Sequence, residues 1–155
     1  MTLKVTKLRG EMSTEMPQKP RVLLIDDNPS DIKLAQFAAK KTRWIEDLKT
    51  FLDSSEALEF LRSQKEWRPH LIVIDLNMPK LNGFELLRHL KSDDDLKYIP
   101  VVVLTTSSSY RDIREAYGLH ANSFITKPSD FSKYSEIWSG IENYWFNVAQ
   151  SPTEE

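Results

Sequence analysis

The chain has 155 residues, of which 40% are hydrophobic and 28% charged, and its net charge is −2. This length fits one domain with a substantial core, and the small net charge indicates neither a nucleic-acid surface nor a polybasic membrane surface. The chain has no cysteine, which excludes disulfides, thiolate metal sites and cysteine nucleophiles and fits a cytoplasmic location. No apolar run approaches the ~20 residues that a membrane span needs.

The two ends of the chain differ in composition from the part between them. The segment from Met1 to Lys19 is polar and aperiodic, and it lacks the apolar stretch of a signal peptide. We therefore predict an N-terminal tail over residues 1–19, one domain over 20–149 and a short C-terminal tail over 150–155.

The first predicted strand runs from Arg21 to Ile25, a short apolar run of the kind buried on both faces of a sheet. It ends in the acidic pair Asp26 and Asp27. Asn28 suits an N-cap and is followed by proline, which predicts a helix over about 29–41.

The second predicted strand, Leu48 to Leu52, has a weaker signal, and either Ser54 or Ser55 is expected to cap the helix after it. The third strand runs from Leu71 to Ile74 and delivers Asp75 at its C-terminal tip. A methionine-proline pair then turns the chain.

A helix from Gly83 to about Lys91 precedes the fourth predicted strand, Pro100 to Leu104. This strand ends in Thr105 and a run of hydroxyl residues. The next helix is expected to end at about Tyr117, with Gly118 as its stop signal.

The fifth predicted strand, Ser123 to Thr126, ends in Lys127 and a proline, and a last helix covers about 130–149. Strands that alternate with helices in this way predict an α/β fold with a five-stranded parallel sheet, doubly wound, in the order (βα)5. Right-handed crossovers leave few other topologies.

Polar side chains follow four of these strands directly. In a parallel sheet all the C-terminal strand ends lie on one edge, which is where ligands bind. We therefore expect three carboxylates, a hydroxyl and an ammonium to share one pocket: Asp26, Asp27, Asp75, Thr105 and Lys127.

This set of groups suits phosphoryl chemistry. Neighbouring carboxylates disfavour one another's ionisation, and a hard divalent cation such as Mg²⁺ relieves the repulsion. A metal ion, an ammonium and a hydroxyl neutralise a transferring phosphoryl group, and Asp75 can then act as its nucleophile. The three histidines show no ligand spacing and are interpreted as surface or packing residues: His70, His89 and His120.

The ordered motifs resemble a response-regulator receiver domain, a flavodoxin-like fold that a sensor histidine kinase phosphorylates. The resemblance covers about Arg21 to Ala149. Its motifs are an acidic pair, an Asp-x-x-Met-Pro-x-x-x-Gly run, a hydroxyl at the fourth strand end and a Lys-Pro pair at the fifth: Asp26 and Asp27, Asp75, Met78, Pro79 and Gly83, Thr105, and Lys127 and Pro128.

The resemblance implies that Asp75 is the phospho-acceptor and that Mg²⁺, for which Mn²⁺ could substitute, is the cofactor. The ion would be held by Asp27, by Asp75 and by the backbone carbonyl of Asn77, with Asp26 assisting. Lys127 would pair with the phosphoryl oxygens. Such a protein catalyses its own phosphotransfer and dephosphorylation and is not a conventional enzyme.

The resemblance also implies a switch in which Thr105 moves toward the phosphoryl group and Phe124 turns inward behind it. Thr106, which would also contact the phosphoryl group, stands where the family usually has alanine. The family tunes hydrolysis of its phospho-aspartate two residues beyond the acceptor and two beyond the threonine, which are Asn77 and Ser107 here.

The last helix carries more apolar surface than one core face needs. Six residues form a stripe at spacings of three and four: Phe131, Tyr134, Trp138, Ile141, Trp145 and Val148. Ile137, Tyr144 and Phe146 widen this stripe, which favours a homodimer or partner surface over a core face alone. The predicted homodimer surface consists of Tyr134, Ile137, Tyr144 and Val148.

No DNA-binding module follows Ala149, so the output is expected to be a protein contact made by the receiver itself. A stand-alone receiver with this last helix is similar to the response regulators paired with bacterial phytochromes. That similarity implies a sensor histidine kinase, such as a phytochrome, as the partner.

Three other functions fit these residues less well. A phosphatase with an aspartate nucleophile resembles Asp-x-Asp-x-Thr, but the position two after Asp75 is Asn77, so its general acid is missing. A pseudo-receiver that never takes phosphate would be expected to lose an acid or the lysine, and none is lost. A nucleotide-binding protein would need a glycine-rich phosphate loop, and this sequence has none, since Gly83 and Gly118 stand alone.

Overall fold

The computed structural model of the chain describes residues 20–41 and 47–153. Its strands are β1 Arg21–Ile25, β2 Asp47–Phe51, β3 Leu71–Ile74, β4 Val101–Thr105 and β5 Ser123–Thr126. Its helices are α1 Pro29–Lys40, α2 Ser54–Ser63, α3 Gly83–Ser92, α4 Tyr110–Gly118 and α5 Phe131–Asn143, followed by a π-helical turn, Tyr144–Val148. The predicted tail over 1–19 lies outside the described residues.

All five strands are parallel, in the order β2-β1-β3-β4-β5, which confirms the predicted sheet. The chain goes from β1 outward to β2 and then returns across β1 to β3. The strand order therefore reverses between β1 and β3, and such a switch point is where open α/β sheets bind their ligands. The C-terminal ends of these two strands carry Asp26 and Asp75, so the sheet topology places two acids side by side.

Two layers of apolar side chains cover the two faces of the sheet, which confirms the doubly wound architecture. One layer packs α2, α3 and α4 onto the sheet, with Leu61, Leu87 and Ala116 buried. The other packs α1 and α5 onto the opposite face, with Ala35 and Trp138 buried. Among the described helices, none is both long enough and apolar enough to cross a membrane.

Two helix ends differ from their sequence-based predictions. The N-cap of α2 is Asp53 rather than Ser54 or Ser55, because its carboxylate accepts the N–H of Ser55 at 2.7 Å. Both serines lie inside the helix. Gly118 does not stop α4 but is its last residue, and the left-handed residue beyond the helix is His120, with φ of 74°.

The last helix contains a change of phase that the prediction of one continuous helix over 130–149 missed. α5 ends at Asn143, and the next turn is π-helical, with the N–H of Ala149 bonded to the carbonyl of Tyr144 at 2.7 Å. A π turn holds more residues than an α turn, so the side chains after it rotate around the axis. Phe146 is therefore fully buried, whereas Val148 is 62% exposed.

The predicted homodimer surface needs a corresponding correction. Tyr134 belongs to the core between α1 and α5, is 3% exposed and cannot form part of an outer face. Ile137 is half-buried, while Tyr144 and Val148 lie at the surface. Of the four residues of the predicted surface, only the two at the π turn, Tyr144 and Val148, are therefore exposed.

Candidate functional site

Three carboxylates meet where β1 and β3 end. Asp26, Asp27 and Asp75 each offer an oxygen, and these oxygens all lie within 4.8 Å of one another. The strand register pairs Ile25 with Ile74, so the residues that follow them leave the sheet side by side. Asp26 and Asp75 are buried and Asp27 is half-buried. The arrangement concentrates negative charge in a place with little water.

The ammonium of Lys127 lies at the centre of this acidic pocket. Its Nζ is 2.7 Å from Asp26 Oδ2, 2.8 Å from Asp31 Oδ2 and 3.1 Å from Asp75 Oδ2. Burial opposes the charged form, but the hydrogen bonds to Asp26 and Asp31 and the charges of Asp26 and Asp75 outweigh it and raise the pKa of Lys127 above the usual lysine range. The lysine is therefore a permanent cation.

The raised pKa of Asp26 indicates that the pocket has an excess of negative charge. Burial raises its pKa to about 6, even though Lys127 and the N–H of Asn28 donate hydrogen bonds that lower the pKa. The negative charge of Asp75 adds to the rise. One lysine does not compensate these acids, and a divalent cation bound by oxygen ligands would. The three carboxylates of the cluster thus fit a hard cation such as Mg²⁺.

The loop after β3 holds Asp75 rigidly. The N–H of Asn77 donates to Asp75 Oδ1 at 3.2 Å, and the N–H of Gly83 donates to the carbonyl of Leu76 at 3.0 Å. A Cβ on Gly83 would lie 2.6 Å from the Cα of Leu76 and would also collide with the carbonyl oxygen of Asp75. The glycine of the Asp-x-x-Met-Pro-x-x-x-Gly motif is therefore needed for close packing beneath the acid.

Thr105 approaches this pocket from the end of β4. It is fully buried, and its carbonyl accepts the N–H of Lys127 at 2.6 Å, which fixes the ends of β4 and β5 together. The side-chain amide of Asn77 lies 3.5 Å from the Thr105 hydroxyl. Thr106 is exposed beside it. The structure thus brings the predicted hydroxyl to the same edge as the acids and the lysine.

Phe124, the predicted switch aromatic, is half-buried on β5 and packs against the core layer under α2, α3 and α4. Its N–H donates to the hydroxyl of Tyr117 on α4 at 3.2 Å. The loop between β4 and α4 is held by the hydroxyl of Ser107, which donates to Asp112 at 2.6 Å, and by Thr126, which donates to the Ser107 carbonyl at 2.9 Å. Contacts of α4 and its loop therefore surround the predicted switch position.

Asp31 is a member of the pocket that the sequence-based reasoning missed. Asp31 does not follow a strand directly but lies in the first turn of α1, so the rule of strand ends does not identify it. The histidines are elsewhere: His70 is buried at the opposite edge, where its Nδ1 accepts the N–H of Arg21 at 3.0 Å, and His89 and His120 are exposed. All three histidines lie in the described part of the chain, and none belongs to the acidic cluster there.

Comparison with protein families gives a match over most of the chain. A family model described as the response regulator receiver domain matches residues 22–138. The response regulator Rcp1 of Synechocystis sp. is 37% identical over 145 residues, which are 91% of this chain and 99% of the relative. FilR2 of Methanothrix harundinacea, a probable methanogenesis regulatory protein, is 34% identical and covers 84% of this chain and 86% of its own.

Solved structures agree with this assignment. The phosphorylated cyanobacterial phytochrome response regulator RcpA superposes with a TM-score of 0.82 at 41% identity, over 87% of this chain and 99% of that one. The Mn²⁺-bound form of Rcp1 superposes with a TM-score of 0.80 at 37% identity, over 86% and 99%. This chain thus belongs to the response regulator receiver domain family of two-component signalling.

Proposed function

We propose that the chain accepts a phosphoryl group on Asp75 from a sensor histidine kinase, with Mg²⁺ as cofactor. The observation that carries this proposal is the contact of a buried ammonium, Lys127, with the carboxylate of Asp75 inside a cluster of three acids. A nucleophilic carboxylate, a metal site and a fixed cation are the parts that phosphoryl transfer uses.

The residues of the pocket have separate proposed roles in metal binding and in charge neutralisation. Asp26, Asp27 and Asp75, with the backbone carbonyl of Asn77, would hold Mg²⁺, which when bound neutralises charge on the phosphoryl oxygens. Lys127 provides a second fixed positive charge beside the nucleophile. Support for a divalent ion comes from the carboxylate cluster and from the Mn²⁺ bound by the relative Rcp1.

The transfer balances without any other reactant. An oxygen of Asp75 forms a bond to phosphorus while the bond from phosphorus to the histidine nitrogen of the donor breaks. The imidazole leaves with the electron pair, and the product is an acyl phosphate on Asp75. Water later hydrolyses this group in the same pocket. The chain therefore catalyses its own phosphorylation and dephosphorylation and is not a conventional enzyme.

The new phosphoryl charge would act on Thr105 and Phe124. Thr105 is close enough to the acceptor loop to bond the side chain of Asn77, and its hydroxyl would donate to the phosphoryl group, as would a donor at Thr106. Phe124 lies on the neighbouring strand β5, opposite Val103, and its N–H donates to the hydroxyl of Tyr117 on α4. Movement of Thr105 would therefore alter packing between β5 and α4.

For the partners, we propose a phytochrome-type histidine kinase upstream and a homodimer as the output form. The first part is supported by the likeness to RcpA, a cyanobacterial phytochrome response regulator. The second is supported by exposed apolar side chains at the π turn, where Tyr144 and Val148 are 52% and 62% exposed. Tyr134, which the sequence-based prediction included, is not part of this surface.

Binding of beryllofluoride, a mimic of the acyl phosphate, tests the proposed function. We expect Mg²⁺ and beryllofluoride together to shift the amide resonances of Thr105 and Lys127 in the wild-type protein. Asp75→Asn keeps the shape of the acceptor but removes its nucleophilic charge, and it should show no shift. Shifts in Asp75→Asn, or none in the wild type, would favour the pseudo-receiver alternative.

A further inference from the structure

Lys127 has three charged partners and no spare donor. An ammonium carries three N–H groups, and three carboxylates lie within hydrogen-bond distance of its Nζ: Asp26 at 2.7 Å, Asp31 at 2.8 Å and Asp75 at 3.1 Å. The lysine side chain is only 5% exposed, so water cannot easily replace one of these partners. A phosphoryl oxygen that needs this ammonium must therefore displace a carboxylate.

Asp31 differs from the other two partners because it is outside the acidic cluster that fits a metal ion. Within the described part of the chain, its carboxylate bonds to Lys127 alone. Its backbone is well anchored, since the N-cap Asn28 fixes the start of α1 and the hydroxyl of Tyr134 donates to the Asp31 carbonyl at 3.4 Å. This carboxylate is held in place and is directed at the lysine.

We propose that Asp31 is a positioning residue that competes with the phosphoryl group for Lys127. In the unphosphorylated protein it keeps the ammonium on the α1 side of the pocket and adds a negative charge that repels an anionic ligand. The wild-type pocket consequently binds a phosphoryl group less tightly than the same pocket without the Asp31 carboxylate would. This inference rests on the proposed function and concerns how strongly the phosphorylated state is favoured.

A purely structural role is the competing explanation, because an acid in the first turn of a helix also stabilises the helix dipole. That role would affect unfolding but not the affinity for an anion. Asp31→Asn separates the two explanations, since the amide oxygen can still accept from Lys127 while the charge is lost. Asp31→Ala removes the acceptor as well. Glu136→Gln on the exposed face of α5 is a control for the change in net charge.

The test is the dissociation constant of beryllofluoride, measured by tryptophan fluorescence at a Mg²⁺ concentration that saturates each variant. We expect Asp31→Asn and Asp31→Ala to bind at least about threefold more tightly than the wild type, and Glu136→Gln to match the wild type. A second readout needs neither metal nor anion: the side-chain ammonium resonance of Lys127 should exchange faster with water in Asp31→Ala.

Unchanged or weaker beryllofluoride binding in both Asp31 variants would overturn the inference, provided that the wild type binds. An ammonium resonance that exchanges equally fast in Asp31→Ala and the wild type would also contradict it, since the lysine would then not depend on Asp31. If the wild type binds no beryllofluoride, the proposed function itself fails, and the competition fails with it.

Discussion

The position of Gly83 requires glycine because there is no space for a Cβ beneath the loop after β3, and not because a turn requires it. We predict that Gly83→Ala destabilises the protein by about 1–3 kcal/mol, because an added Cβ meets backbone atoms of Asp75 and Leu76 that cannot rotate away. Urea unfolding measures the change. Gly140→Ala in α5 is the matched control: its Cβ meets nothing within 4 Å, so it should stabilise the helix by about 0.5–1 kcal/mol. Equal effects of the two substitutions would contradict this explanation.

His70 gives the protein a stability that depends on pH. Burial, with a smaller contribution from the charge of Arg21, lowers the pKa of His70 to about 4. In the unfolded chain His70 binds a proton below its ordinary pKa of 6.5, whereas in the folded chain it stays neutral down to about pH 4. The contribution of His70 to the free energy of unfolding is therefore fully present above pH 6.5 and falls as the pH drops to 4. The loss from this residue reaches at most about 3 kcal/mol.

Unfolding of His70→Asn at pH 7 and pH 4.5 tests this prediction, because the amide oxygen can still accept the N–H of Arg21. The difference in unfolding free energy between the two pH values should shrink in this variant. His120→Asn should leave that difference unchanged, since His120 is exposed and asparagine tolerates its positive φ. A His70→Asn variant with the wild-type pH dependence would show that other groups cause it.

At the scale of residues, the sequence predicted the positions that follow directly from strand ends. Asp26, Asp75 and Lys127 converge because parallel strands end at one edge, and this rule requires no side-chain detail. The rule did not predict Asp31, because Asp31 reaches the pocket from a helix. Its proposed competition for Lys127 depends on the direction of the lysine side chain. Spacing in the sequence does not contain that direction.

At the scale of elements, strands and helices were predictable and their ends were not. Buried runs such as Leu71–Ile74 have a clear pattern, and all five strands appear where expected. Asp53 replaced the expected serines as the cap of α2, since several neighbouring residues have the right chemistry and only the backbone decides among them. The π turn was unpredictable because the side-chain period of an α-helix assumes constant geometry.

The π turn reverses the expected effects of two substitutions. We predict that Phe146→Ala costs about 3–5 kcal/mol, because Phe146 is fully buried. Val148→Ala should change stability by less than about 0.5 kcal/mol, because Val148 is largely exposed. A continuous α-helix would place Val148 on the core stripe. Urea unfolding in which Val148→Ala is the more damaging variant would therefore refute the phase change.

At the scale of the whole molecule, the proposed dimer depends on the surface around the π turn. We predict that Tyr144→Glu abolishes the dimer that forms with Mg²⁺ and beryllofluoride, because a charge would have to be buried in an apolar contact. Light scattering measures the molecular mass. Tyr98→Glu is the control, since Tyr98 is also exposed but lies between α3 and β4. If Tyr144→Glu forms the dimer as strongly as the wild type, the interface does not lie at the π turn.

The most direct test of the central claim is mass spectrometry after incubation with phosphoramidate, a small donor with a phosphorus–nitrogen bond. The proposed function predicts a gain of one phosphoryl group in the presence of Mg²⁺, located at Asp75 by peptide mapping, and no gain after removal of the metal or in Asp75→Asn. A phosphoryl group at another residue, or one acquired equally well by Asp75→Asn, would contradict the assignment of Asp75 as the acceptor.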